Sequence, residues 1–122
     1  MPAPVPRLRV HSVMLGTRDV DAAVRFYTER LGFALQSRFG DFAFVEANGT
    51  VLTLSADLSK ARPLGPTAVE IVLATEHVRE SYAALRAAGV VFLSEPHLID
   101  GSNEVANFED PDGHDLSLYG PP

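Results

Sequence analysis

The sequence predicts an α+β fold built from two tandem βαβββ modules. A strand-like segment followed by an amphipathic helix occurs twice, and the helices stop at Gly32 and Gly89, which are 57 residues apart. Each half also contains a hairpin signal, Asn48-Gly49 and Asp112-Gly113, and these are 64 residues apart. The second copy therefore carries about seven extra residues in its middle loop, and loops of this kind often carry function.

The first module is expected to span residues 8–55. It opens with a strand over residues 8–15, and Asp19 then supplies the N-cap of a helix whose apolar residues recur at helical spacing as far as Leu31. Further strands are predicted over residues 33–38, 42–47 and 51–55. Residues 1–7, which are rich in proline, are expected to form a flexible extension.

The second module, residues 67–122, repeats this order after a linker over residues 56–66 that has turn formers and no periodicity. Its helix is indicated by Val78, Tyr82 and Leu85, which share one face. Strands are predicted over residues 68–74, 90–94, 104–108 and 115–119, with a long loop between the second and third and a turn over 110–113.

The composition excludes several classes of function. With 122 residues, 46% of them apolar, the chain can bury a core. It has no cysteine, which excludes disulfides and thiolate metal sites. The net charge is −6 and the arginines are scattered, which argues against nucleic acid as a partner. No apolar run approaches a membrane span, and the N-terminal prolines do not fit a signal peptide, so we expect a cytoplasmic protein without a membrane partner.

Strand alternation sorts side chains onto two faces of each sheet. Ile71 is expected to pack under the helices, which places Glu70 and Val72 on the opposite face of the same strand. The same sorting puts Thr53 and Ser117 on the face away from the helices. A carboxylate among apolar neighbours is costly to bury alone, so Glu70 needs a metal, a cation, a neighbouring partner or solvent in a cavity.

The two hairpins predict which residues share that face with Thr53 and Ser117. A two-residue turn at Asn48-Gly49 sets Phe44 opposite Thr53 and Phe42 opposite Ser55, with Glu46 on the same face. A four-residue turn over 110–113 sets Ala106 opposite Ser117 and Glu104 opposite Tyr119. An error of one residue in either turn would reverse these assignments.

At this point the chain resembles the vicinal oxygen chelate superfamily, the group of glyoxalase I, bleomycin-resistance proteins, fosfomycin-resistance enzymes and extradiol dioxygenases. The match covers nearly the whole chain. The residues that carry it are His11, Asp19-x-x-x-Ala23-x-x-Phe26-Tyr27-x-x-x-Leu31-Gly32-Phe33, Ala87-Ala88-Gly89 and Asn107-Phe108-Glu109-Asp110-Pro111-Asp112-Gly113-His114.

The resemblance implies a curved, partly open mixed-sheet barrel with the helices outside and a site on the concave faces. His11, Thr53, Glu70 and Ser117 fall on positions that resemble the metal-ligand places of that superfamily, and His11 is assigned only as the repeat counterpart of Glu70. The hydroxyls are poor ligands for transition metals, which leaves His11 and Glu70 as candidate ligands or acid/base groups. The expected ligand cavity consists of Phe42, Phe44, Glu46, Thr53, Val72, Glu104, Ser117 and Tyr119.

Three functions remain open. The first is a binding protein for a small apolar or aromatic molecule, similar to the bleomycin-resistance branch, without a complete metal site and without another cofactor. The second is a metal-dependent lyase, isomerase or dioxygenase that acts on vicinal oxygens. The third is metal-free acid/base chemistry by Glu70 and His11. The resemblance also implies a homodimer, with modules paired within one chain or across two.

Overall fold

The computed structural model describes residues 10–61 and 69–122. The first described part contains β1 (Ser12–Gly16), α1 (Val20–Arg25), β2 (Ala34–Phe39), β3 (Phe42–Glu46), β4 (Val51–Ser55) and α2 (Ala56–Ala61). The second contains β5 (Glu70–Ala74), α3 (Val78–Ala87), β6 (His97–Asp100), β7 (Asn103–Glu109) and β8 (Asp115–Gly120).

The strands form two four-stranded mixed sheets, one from each half of the chain. The strand order is β1-β4-β3-β2 in the first sheet and β5-β8-β7-β6 in the second. In each sheet the first strand of the half pairs in parallel with the last strand, and the other pairs are antiparallel. The sheets are not closed into a barrel, which confirms the predicted α+β fold of two βαβββ modules in an open arrangement.

The first helix begins and ends where its sequence signals predict. An Asp19 Oδ1 atom accepts a hydrogen bond of 3.1 Å from the backbone N–H of Ala22, as an N-cap does. The helix then continues through a π-helical turn, Phe26–Arg30. It ends before Gly32, whose φ of +79° lies in the left-handed region that glycine adopts without strain.

The first hairpin has the predicted two-residue turn. Asn48 and Gly49 both have positive φ, and the backbone N–H of Ala47 donates to the carbonyl of Thr50 at 2.8 Å. Phe44 therefore pairs with Thr53, as predicted. Phe42 likewise pairs with Ser55.

In the second hairpin the prediction was wrong by one residue. The backbone N–H of Asp110 donates to the carbonyl of His114, so the loop has three residues rather than four, and Gly113 closes it with a φ of +87°. Asn107 therefore lies opposite Ser117. Val105, and not Glu104, lies opposite Tyr119.

Other element boundaries also differ from the predictions. Strand β1 begins at Ser12, so His11 precedes it, and residues 1–9 lie outside the described residues. The linker over 56–66 begins as the helix α2, and its residues 62–66 lie outside the described residues. The predicted strand 90–94 is reduced to a single bridge between Phe92 and Phe108. Strand β6 forms instead within the predicted long loop.

One apolar core joins the helix sides of both sheets. Phe26 of the first half lies against Phe108 of the second, with ring centroids 6.5 Å apart, and both rings are buried. The buried Tyr27 hydroxyl donates to Asp110 Oδ2 at 2.8 Å. Burial raises the pKa of Tyr27, and it also raises that of Asp110. The two modules thus pack against each other through their helix sides.

The opposite side of each sheet carries the alternate set of strand side chains. We call these sides the first open face, which includes Met14, Phe42, Phe44, Glu46 and Thr53, and the second open face, which includes Glu70, Val72, Asn107, Ser117 and Tyr119. Met14 is 48% exposed and Val72 is 55% exposed, in contrast to Leu118 on the helix side at 4%. In the described parts of the chain, no helix has the length and apolarity needed to cross a membrane.

Candidate functional site

Glu70, the first residue of β5, is held by two neutral hydrogen-bond donors on the second open face. Its Oε1 accepts from Asn107 Nδ2 and its Oε2 accepts from Ser117 Oγ, both at 3.2 Å. Ser117 is fully buried in the middle of β8, so its hydroxyl is a fixed donor. The carboxylate is therefore oriented, while its residue stays exposed.

Asn107 is oriented in turn by Ser94. The Ser94 hydroxyl donates to Asn107 Oδ1 at 3.1 Å, and the backbone N–H of Asn107 donates to Ser94 Oγ at 3.0 Å. With its oxygen occupied in this way, the amide presents its NH₂ group to Glu70. Asn107 was not predicted on this face, because a four-residue hairpin loop would place Ala106 there instead.

A second polar group lies farther along the same face. The Tyr119 hydroxyl donates to Asp100 Oδ2 at 2.7 Å and accepts from Asn103 Nδ2 at 3.0 Å. The hydrogen bond from Tyr119 holds the pKa of Asp100 below its ordinary value, and the same bond raises the pKa of Tyr119. Tyr119 thus lies on the predicted face, with its hydroxyl already engaged.

The first open face is apolar and aromatic. Phe44 and Phe39 pack edge to face with ring centroids 6.2 Å apart, and Phe39 is 71% exposed. Phe42 pairs with Phe39 across the strands, and Met14 lies next to Thr53 in the parallel ladder. Thr53, between Met14 and Phe44, is buried. This face offers a surface of rings and a thioether.

Glu46 lies at the end of the first open face and is engaged locally. Its Oε1 accepts the backbone N–H of Gly49 at 2.7 Å, which closes the first hairpin. Because one carboxylate oxygen serves the turn, Glu46 is a weaker candidate than Glu70 for binding a ligand.

Glu104 was predicted to face the cavity, and this prediction was wrong. The one-residue shift in the second hairpin turns its side chain toward the helices. There Arg79 of α3 forms a bidentate ion pair with it: Nε donates to Oε1 at 3.1 Å and Nη2 donates to Oε2 at 2.9 Å. The Glu104 side chain is only 5% exposed. Hydrogen bonding from Arg79 holds the pKa of Glu104 below its ordinary value.

The structure also corrects the assignment of His11 as the counterpart of Glu70. Glu70 pairs with Asp115 at the start of its parallel ladder, and the residue at the same place in the first ladder is Ser12, which pairs with Val51. His11 lies one residue earlier, outside the strand, and is exposed. The prediction failed because the first strand shows no contrast in apolarity between its faces.

The donors at the four repeat-related places do not fit a tight transition-metal site. Those places hold Ser12, Thr53, Glu70 and Ser117, which together supply one carboxylate and three neutral hydroxyls. Transition-metal sites normally use three or four protein ligands of imidazole, thiolate or carboxylate type. Within residues 10–61 and 69–122, no group of three or more His, Cys, Asp or Glu is placed to hold a metal ion.

A family model, two curated relatives and a solved structure all relate this chain to the same superfamily. The model of the Glyoxalase/Bleomycin resistance protein/Dioxygenase superfamily matches residues 9–118. A "probable lactoylglutathione lyase" of Vibrio cholerae is 25% identical, and one of Vibrio parahaemolyticus is 28% identical; each match covers 90% of this chain and 88% of the relative. A crystal structure of a glyoxalase/bleomycin resistance protein/dioxygenase from Nocardioides superposes with a TM-score of 0.83 at 28% identity, covering 97% of this chain and 86% of that one.

Proposed function

Since the chain belongs to the Glyoxalase/Bleomycin resistance protein/Dioxygenase superfamily, we propose that it binds a small molecule with an apolar or aromatic part between its two open faces, without a complete transition-metal site. The proposal rests on one observation: the first open face is aromatic, whereas the second open face carries an oriented carboxylate. One presents the aromatic ring of Phe44, and the other presents the hydrogen-bonded carboxylate of Glu70. A binding cavity needs an apolar wall together with a few fixed polar groups.

The two faces are brought together by dimerisation in this proposal. Within one chain the helix sides share a core, through contacts such as Phe26 with Phe108, while Met14 and Val72 on the open faces remain about half exposed. Two copies of the chain can cover these surfaces by placing the first open face of each copy against the second open face of the other. Each site would then contain Phe44 of one subunit and Glu70 of its partner.

The printed names of the Vibrio relatives support a second candidate, a lyase that acts on a lactoylglutathione-type compound. The identities of 25% and 28% leave room for a change of chemistry. The serine and threonine hydroxyls at the repeat-related places favour the binding function over this one. Metal-free acid/base catalysis by Glu70, with His11 as an exposed neighbour of β1, is the third candidate.

A titration with a neutral aromatic probe tests the binding function. We expect 2-naphthalenemethanol to bind the wild-type protein, and Phe44→Ala to weaken that binding by about tenfold because the ring loses its packing partner. Val91→Ala is the matched control, since Val91 is an exposed apolar residue outside both open faces. Binding that is equally weak in wild type and Phe44→Ala, or equally affected by Val91→Ala, would contradict the proposal.

Two further measurements test the assembly and the metal prediction. Sedimentation across a range of concentrations is expected to give a dimer mass, and a monomer at all concentrations would contradict the paired faces. Metal analysis after dialysis is expected to find less than stoichiometric zinc, nickel, iron or manganese. Stoichiometric metal that is lost in Glu70→Gln would favour the enzyme candidates instead.

A further inference from the structure

We infer that the ligand of the paired open faces is an aromatic compound that carries a positive charge, with its ring on Phe44 and its cationic group on Glu70. This inference rests on the proposed function and specifies its ligand class. It is based on the neutral hydrogen-bond partners of Glu70 and on the lack of arginine and lysine at the described strand positions of the open faces.

Among the described residues, no basic side chain forms an ion pair with Glu70. Its two contacts come from neutral groups, the amide of Asn107 and the hydroxyl of Ser117. Neutral donors orient a carboxylate, but they leave its full negative charge available to a ligand. The hydrogen bonds also hold the carboxylate in one orientation, so a ligand does not have to immobilise it on binding.

Three carboxylates away from the open faces pair with arginines. Glu104 pairs with Arg79, Asp112 pairs with Arg18, and Asp21 pairs with Arg38. The last of these lies on the helix side of the first sheet, because Arg38 pairs in register with the buried Ala43. Arg18, Arg38 and Arg79 thus neutralise carboxylates away from the open faces.

The open faces themselves contain no arginine and no lysine among the described strand residues. Along the eight strands, Arg38 is the one arginine and no lysine occurs. An anionic ligand entering between the faces would therefore lose its hydration without gaining a cationic partner from the strands, at a large cost. A cationic ligand would gain the charge of Glu70 in the same place.

The aromatic wall fits the same ligand class. Phe39 and Phe44 pack edge to face, with Phe39 71% exposed and Phe44 partly exposed. Aromatic faces attract cations and also stack on flat rings, so a flat cation gains on both counts. A neutral aromatic ligand would gain only the stacking.

A matched series of naphthalene probes tests the inference. We expect 2-(aminomethyl)naphthalene, which is cationic at pH 7, to bind about tenfold tighter than the neutral 2-naphthalenemethanol, and 2-naphthoate to bind more weakly than both. Glu70→Gln should remove most of the preference for the cation while leaving the affinity for the neutral probe unchanged. Glu80→Gln, which removes an exposed charge from α3, is the matched control and should change nothing.

The outcomes separate this inference from the function on which it rests. Equal affinity for the cationic and neutral probes, or a preference that persists in Glu70→Gln, would overturn the charge assignment while binding between the faces still stands. Tighter binding of 2-naphthoate than of the amine would overturn it as well. Failure of all three probes to bind in a manner that depends on Phe44 would instead overturn the proposed function.

Discussion

The two open faces occupy equivalent positions in the two repeats and carry different chemistry. Ser12 of the first repeat corresponds to Glu70 of the second, and Phe44 corresponds to Asn107, because each pair holds the same place in its strand ladders. Only the hydroxyl beside them is shared, as Thr53 in one repeat and Ser117 in the other. The same strand order and register thus place aromatic rings on one sheet and an oriented carboxylate on the other.

On the helix side, the equivalent residues of β4 and β8 are the same in both repeats. Leu52 and Leu54 of β4 correspond to Leu116 and Leu118 of β8, and all four are buried in the shared core. Positions that build the core are restricted to apolar side chains of suitable volume. Positions on the open faces are free of that restriction, so their side chains can differ between the repeats.

The largest contrast is expected in the loss of stability when a phenylalanine is replaced on the helix side or on the open face. Phe108→Ala should lower the free energy of unfolding by about 3–5 kcal/mol, because the buried ring contacts Phe26 and Phe92 and its loss leaves a cavity. Phe44→Ala, on the partly exposed open face, should cost about 1 kcal/mol or less. Urea denaturation of both variants measures the difference, and equal losses would mean that Phe44 belongs to the core.

A smaller contrast is expected in the stability changes that result from replacing Glu104 and Glu70. Arg79 holds the pKa of Glu104 below its ordinary value, so this pair stabilises the fold above about pH 5, and the stabilisation is lost as the pH falls through the folded-state pKa. Glu104→Gln should therefore be less stable than wild type at pH 7, and the gap should narrow toward pH 3.

Glu70→Gln provides the comparison for that measurement. Its melting temperature should match that of wild type at pH 7, because the exposed carboxylate has no basic partner among the described residues and the amide can still accept one of the two hydrogen bonds. Melting curves from pH 3 to 7 for both variants would test this. The assignment of the two carboxylates to different sides of the sheet would be contradicted if the stability difference between wild type and Glu104→Gln widened at low pH. A large loss of stability in Glu70→Gln would contradict it as well.

The smallest expected effect concerns the shared hydroxyl. Ser117→Ala removes one of the two donors that orient Glu70, and it should weaken binding of 2-(aminomethyl)naphthalene by a few-fold, roughly what one net hydrogen bond contributes. Thr53→Ala is the matched change on the first open face and should leave the binding of this probe nearly unaltered. Calorimetric titration of both variants compares them, and a larger loss in Thr53→Ala would reverse the roles of the two faces.

The parts of the fold that could be predicted were those with strong local signals. The N-cap at Asp19 and the turn at Asn48-Gly49 are decided by a few adjacent residues, and both are present in the structure. The turn fixes the register of its hairpin, and the register places Phe42 and Phe44 on the open face.

The failures occurred where local signals were ambiguous. A loop closed by Gly113 can hold three or four residues, and that single choice exchanged Asn107 for Ala106 and reversed the face of Glu104. His11 was assigned through the repeat alone, in a strand whose faces are equally apolar. Strand β6 depends on pairing with β7 across a bulge, which local sequence does not indicate.

The most direct test of the account is a mixed dimer of Phe44→Ala and Glu70→Gln chains, purified with two different tags. If each site combines the first open face of one copy with the second open face of the other, the mixed dimer contains one intact site and one doubly altered site. We predict that 2-(aminomethyl)naphthalene then binds with wild-type affinity at one site per dimer, although both parent homodimers bind weakly. A mixed dimer with no site of wild-type affinity would contradict the account, because Phe44 and Glu70 would not come from different chains.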